Sequence, residues 1–218
     1  LVQHQPVMPS TNIMPAKYEP KRQGLLAALE CYLDQRNEEA IAQYEQAFEN
    51  YTGKDALTPA NTPLFNEIVN RLAIIFRRTG NQIKLQALLA RTRQLIDEQN
   101  PLADLVTIEN LLDQGKRREA LENARASIRR YPDDRSLKYT EAMILSEMKR
   151  ADESADHLRN MISGRPENAT DDAFIQLLLS GDYLQQGKLK EAEEAARKSI
   201  ALNPDDPRPY YHLGQIHQ

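Results

Sequence analysis

Tryptophan is absent from this chain of 218 residues, and cysteine occurs once, at Cys31. One thiol permits no internal disulfide and no multi-cysteine metal site, so zinc fingers and disulfide scaffolds are excluded, packing alone must hold the fold, and the redox compartment stays open. Long apolar runs are missing too: 28% of the residues are charged, nothing approaches the roughly 20 apolar residues of a membrane helix, and no membrane insertion is expected. The eight glycines are scattered singly, which leaves no phosphate-cradling loop.

The residues that remain for catalysis do not assemble a site. His212 and His217 are five apart, which is not the i, i+4 spacing of a metal pair on one helix face, and His4 and His157 stand alone. The aspartate pairs 133–134, 171–172 and 205–206 each precede an expected helix, where a carboxylate caps N–H groups and meets the positive end of the dipole. Cys31 falls on an apolar helix face and reads as core. No enzymatic activity, cofactor or metal is expected.

Charge is unevenly spread. The net value of −4 disfavours nucleic acid as a partner. Residues 1–70 carry 5 basic against 9 acidic side chains, residues 71–135 carry 13 against 9, and residues 136–218 carry 10 against 14. The basic middle band has two readings, solvated helix faces or a contact for an acidic partner. The chain begins at Leu1 and stops at Gln218 inside a helical pattern, as a piece of something longer would, and no signal peptide can be read from it. Cytoplasmic and periplasmic locations both stay open. Four prolines within residues 1–20 forbid a regular helix and favour extended backbone.

What is present is a repeat. DLVTIENLLDQGKRREALENARASIRRYP (104–132) and QLLLSGDYLQQGKLKEAEEAARKSIALNP (176–204) align without a gap on Q-G-K-x-x-E-A and on the closing proline. Units anchored on this pattern start near Lys21, Asn66, Pro101, Arg135, Ala173 and Pro207. Each reads as two helices, with apolar residues at helical spacing and Gly80, Gly115 and Gly187 between them in three units. Thr62-Pro63, Asn100-Pro101 and Asp206-Pro207 read as a cap followed by proline at the first helical position. Helices are expected near 21–34, 37–51, 63–79, 82–98, 101–114, 117–131, 135–148, 151–164, 173–186, 189–202 and 207–218. About eleven extra residues after the first unit and four (ATDD) before the fifth read as insertions, and the second helix of the second unit should run one turn longer, through Leu95-Ile96.

On these residues the chain resembles the tetratricopeptide repeat family, whose pattern is W-x2-L-G-x2-Y, then A-x3-F, then P within 34 residues. The fifth unit keeps Leu179, Tyr183, Ala192 and Pro204; the sixth opens with Tyr210, Leu213 and Gly214; the third keeps Ala120 and Pro132; the first keeps Ala40, Tyr44 and Ala47; and the fourth has Ser154 in place of the alanine. The resemblance implies an all-α fold, an α-solenoid of helix-turn-helix units forming a right-handed superhelix over residues 21–218, with five full repeats and the first helix of a sixth. Residues 1–20 would form an extended N-terminal segment.

The resemblance also implies a function. First-helix positions that face the groove in this family map to Leu25, Leu29, Tyr32 and Leu33; Asn70, Ile74, Arg77 and Arg78; Leu105, Glu109, Leu112 and Asp113; Tyr139, Met143, Ser146 and Glu147; Phe174, Leu177 and Leu184; and Arg208, Tyr211 and Gln215. This wall is largely apolar and aromatic, which suits a protein or peptide partner with apolar anchors. Several of these leucines could instead pack between adjacent helices. The clamp that family members use for acidic chaperone tails is missing, since Leu25, Leu29, Ile74, Leu105 and Glu109 stand at its positions. A protein-interaction scaffold is expected, of a kind abundant in bacterial envelopes and secretion systems; the alternatives are the non-catalytic arm of a larger peptidase or glycosyltransferase and a self-oligomerising module. Tyr139, Phe174 and Tyr211 are expected to form an aromatic track. The N-terminal segment, with Leu1, Val2, Val7, Met8, Ile13 and Met14 as anchors, would lie in its own groove or a neighbour's, the latter making a homodimer.

Overall fold

The computed structural model describes residues 36–53, 57–98, 100–164 and 168–217. The first expected helix, with Leu25, Leu29, Cys31 and Tyr32, and the N-terminal segment with its groove or dimer contact lie outside the described residues. Among those described there are ten α-helices and no strand, and they fall into two compact units, to Ile96 and from Asp97.

The first unit holds α1 (Asn37–Glu49), α2 (Thr62–Arg78) and α3 (Gln82–Leu95). Ala40, Tyr44 and Phe48, each four residues apart, make one buried face of α1. Phe48 and Tyr51 each place their ring centroid 5.5 Å from that of Phe65 on α2. Leu85, Leu88, Leu89 and Thr92 are buried on α3. Across the surface Glu49 accepts two hydrogen bonds from Arg91, at 2.7 and 2.8 Å, and this guanidinium holds the Glu49 carboxyl below its ordinary range.

The second unit continues with α4 (Leu102–Asp113), α5 (Arg117–Arg130), α6 (Arg135–Glu147), α7 (Ala151–Arg159), α8 (Ala169–Gln185), α9 (Leu189–Leu202) and α10 (Arg208–Ile216). Every helix of this unit packs on the next, and α8 also touches α10. Two cores follow from that stacking. Ile108, Ala120, Leu121, Ala124, Leu137, Ile144 and Leu145 bring α4, α5 and α6 together, and Ala142, Ala155, Leu158, Ile175, Leu179 and Ala195 join α6 to α9. Small residues sit where α8 crosses α9: Ser180 Oγ donates to the Ala192 carbonyl at 3.0 Å and Ser199 Oγ to the Ala173 carbonyl at 2.8 Å.

The connection inside each helix pair is the same turn. After α2, α4 and α8 a glycine (φ 69°, 73° and 71°) donates its N–H three residues back, and the next residue reaches five back: Asn81 to Phe76, Lys116 to Leu111 and Lys188 to Tyr183. This pattern satisfies the last carbonyls of a helix and needs a left-handed residue. After α6 the same two bonds form, from Lys149 to Ser146 and from Arg150 to Leu145, with Lys149 at φ 62° in the glycine's place.

Four expectations are corrected. Thr62 does not cap α2: Asn61 precedes the helix, its Oδ1 accepting from Thr58 N at 2.7 Å, while Thr62 Oγ1 donates to the Thr58 carbonyl. Asn100 and Asp206 do accept from Leu102 N and Arg208 N, both at 3.0 Å, and Asp134 caps α6 through Leu137 N at 2.9 Å. The extra residues ATDD form the first turn of α8, which starts at Ala169 rather than near residue 173, and Asp172 does not cap that helix. Buried, it accepts from Ser163 N at 3.0 Å and Gly164 N at 2.7 Å, which turns the preceding chain back and ends α7 at Arg159 rather than near residue 164. The second helix of the second repeat stops at Leu95, because Ile96 is already extended (ψ 153°).

Candidate functional site: the strip across α6, α8 and α10

The first helices of three successive repeats carry a continuous set of contacts. Tyr139 of α6 meets Phe174 of α8 edge to face, with ring centroids 5.5 Å apart, a geometry that sets the positive ring edge against the negative face. Each ring also carries a cation: Arg135 lies 5.8 Å from the Tyr139 centroid and Arg208 of α10 lies 5.5 Å from that of Phe174. Arg135 donates to the Tyr139 hydroxyl at 3.2 Å and forms an ion pair with Asp171 at 2.9 Å. Burial pushes the Tyr139 hydroxyl pKa up, and the Arg135 guanidinium pulls against it. Arg208 is anchored by Asp206, whose carboxyl is held below its ordinary range mainly by that hydrogen bond.

Two large apolar side chains beside this set face solvent. Met143, one turn beyond Tyr139 on α6, is 45% exposed, and Tyr211, one turn beyond Arg208 on α10, is 67% exposed. Tyr139 and Phe174 are half-buried. The structure thus joins Tyr139 to Phe174 directly. Tyr211 makes its contacts with its own helix, accepting from Gln215 Nε2 at 3.3 Å, and shares α10 with Arg208 without touching the two rings.

The other positions mapped from the family divide by burial. Leu105 and Leu112 pack against the first core of the second unit, Glu109 is exposed, and Leu177 is buried at 4% exposure, with little surface to offer a ligand. In the first unit Asn70, Ile74 and Arg77 are half-buried. Cations of the basic middle band engage carboxylates, as in Lys84–Glu45, Arg117–Glu147, Arg125–Glu141 and Arg130–Asp104.

The repeat pattern marks Arg135 only as the start of a unit, and its role over Tyr139 depends on tertiary contact. Asp182 escapes the sequence reading, although a signal is available: it is an acidic residue one position before Tyr183 inside the apolar run FIQLLLSGDYL. No group of three or more His, Cys, Asp or Glu able to hold a metal occurs among the described residues, and no described helix is long and apolar enough to cross a membrane.

These stacked helix pairs, closed by a common left-handed turn and crossing at small residues, define a helical repeat protein of the solenoid class. Residues 107–169 match the family described as Tetratricopeptide repeat and residues 182–218 that described as TPR repeat. Over those residues the chain carries tetratricopeptide repeats, a kind of repeat that serves as a protein-interaction scaffold. No curated protein sequence matches it. Among solved structures, the thermophilic TPR protein TTC0263 of Thermus thermophilus is similar at a TM-score of 0.60 and 16% identity, covering 90% of this chain and 98% of that one. MamA from Desulfovibrio magneticus RS-1 is similar at 0.53 and 18%, over 70% and 83%. YrrB, described as a TPR protein with an unusual peptide-binding site, is similar at 0.52 and 13%, over 91% and 96%. At these identities the likeness is one of fold.

Proposed function

We propose that the chain is a scaffold that holds a peptide segment of a protein partner along the first helices of its repeats, with Tyr139, Phe174, Met143 and Tyr211 as apolar anchors. The observation that carries this reading is the strip itself. Two aromatic rings are locked by each other and by an arginine apiece, so they are presented with little conformational freedom left to lose, while Met143 and Tyr211 leave large apolar surfaces in water beside them. The structure described for YrrB as having a peptide-binding site supports the use of this fold for peptides.

Panning the chain against a library of random 12-residue peptides tests the reading. Recovered peptides should carry spaced apolar or aromatic residues, and Phe174→Ala combined with Tyr211→Ala should weaken their binding at least tenfold while the far-ultraviolet helical signal persists. Unchanged affinity in the double variant would place the ligand on another face.

A further inference from the structure

A cavity of about 190 Å3 opens between α6, α7 and α8. That is below the roughly 300–1,000 Å3 of sites for small molecules, and it suits a single side chain. Its walls include Met143, Leu158 and Leu178, and its polar lining is Asp182 with Ser146, Ser154 and Glu147, the last already paired with Arg117 at 3.0 Å. None of the side chains that line it is cationic.

Asp182 is 1% exposed, and its Oδ2 has no hydrogen-bond partner; Ser154 Oγ, also buried, has none either. Ser146 Oγ accepts from Gln185 Nε2 at 2.8 Å. Burial raises the Asp182 carboxyl pKa above its ordinary value. A carboxylate withdrawn from water without a counter-charge is costly, and this one borders a cavity with room for a donor.

We propose that this cavity takes a lysine side chain from the bound partner segment, the ammonium meeting Asp182 and the methylenes lying along Met143, Leu158 and Leu178. A long basic side chain buries its stem on apolar surface while its head finds a charge. One unpartnered oxygen in a small cavity fits a compact ammonium better than the planar fork of a guanidinium. The inference rests on the peptide-binding reading, because Met143 belongs to both sites: it lies one turn from Tyr139, so a segment crossing the aromatic strip passes the cavity mouth.

The test uses the full chain and small probes, so it does not depend on finding a peptide. Nα-acetyl-lysine methylamide is titrated against the 15N-labelled protein and compared with its norleucine counterpart, which keeps the stem and lacks the charge. The amides of Ser146, Ser154 and Asp182 should shift together and saturate with the lysine probe. The norleucine probe should bind at least tenfold more weakly, and Asp182→Asn should remove this preference. Equal responses to the two probes, no response to lysine, or an unchanged preference in Asp182→Asn would overturn the assignment. The comparison of probes on the unaltered chain decides even if the variant fails to fold. If the lysine subsite fails while library peptides still depend on Phe174 and Tyr211, only this inference falls; if the probes behave as expected and no peptide binds the strip, the peptide reading falls.

Discussion

Lys149 occupies the left-handed turn position that glycine fills in three other repeats. A left-handed conformation costs an L-residue about 1–2 kcal/mol, and part of that gain is returned by glycine's greater freedom in the unfolded chain. Lys149→Gly is therefore expected to stabilise the fold by about 0.5–1 kcal/mol, read as a higher urea midpoint at constant slope. Asp182 carries the opposite kind of cost. Because its folded pKa is raised above the unfolded value, the stability tied to its protonated form is complete below the unfolded pKa of about 3.9 and is lost as pH rises through the folded pKa. Urea unfolding at a series of pH values should show Asp182→Asn losing less stability than the unaltered protein over that rise. Parallel curves would mean that the carboxylate is not desolvated.

Packing of whole helices is most sensitive where their crossings are closest. Ala192 is completely buried on α9, and its carbonyl receives the Ser180 hydroxyl of α8. Ala192→Leu should overpack this crossing and cost about 1–3 kcal/mol, measured as a lower thermal midpoint; an unchanged midpoint would contradict the register of the fifth repeat. The docking of α10 is expected to depend on pH. His212 is half-buried, its Nδ1 has no partner, and a methyl on Gly181 of α8 would lie 3.5 Å from its Cε1. Burial first, and the Arg208 charge second, lower its pKa. The neutral ring therefore contributes stability that is present above about pH 6.5 and is lost as pH falls through the lowered folded value. Hydrogen-exchange protection factors in α10, taken relative to the intrinsic rate at each pH, should decrease over that fall, and His212→Phe should abolish the decrease.

At the scale of the molecule, a helical repeat array is a chain of neighbour contacts, and its stability is approximately a sum of local terms. Within the second unit Ala120 belongs to the α4–α6 core, whereas Ala192 lies at the α8–α9 crossing. The costs of Ala120→Leu and Ala192→Leu should add to within about 0.5 kcal/mol in the double variant. A larger coupling energy would show that the two cores respond as one body.

The sequence by itself determined the repeat, the helix pairs and most helix limits, since these follow from local chemistry: apolar spacing, a left-handed residue after a helix, and side-chain oxygens ahead of one. It was enough to place α9 at residues 189–202, as observed. It failed where a distant partner competes with a local rule. Asp171 and Asp172 look like caps, yet one is taken by Arg135 and the other by the Ser163 and Gly164 amides, and that choice ended α7 early. The aromatic residues of the strip were legible as first-helix positions, but which of them touch was not. Tertiary structure alone buried Leu177, joined Tyr139 to Phe174 and left Asp182 Oδ2 without a partner beside a cavity, because burial and pairing depend on what neighbouring helices bring to a surface.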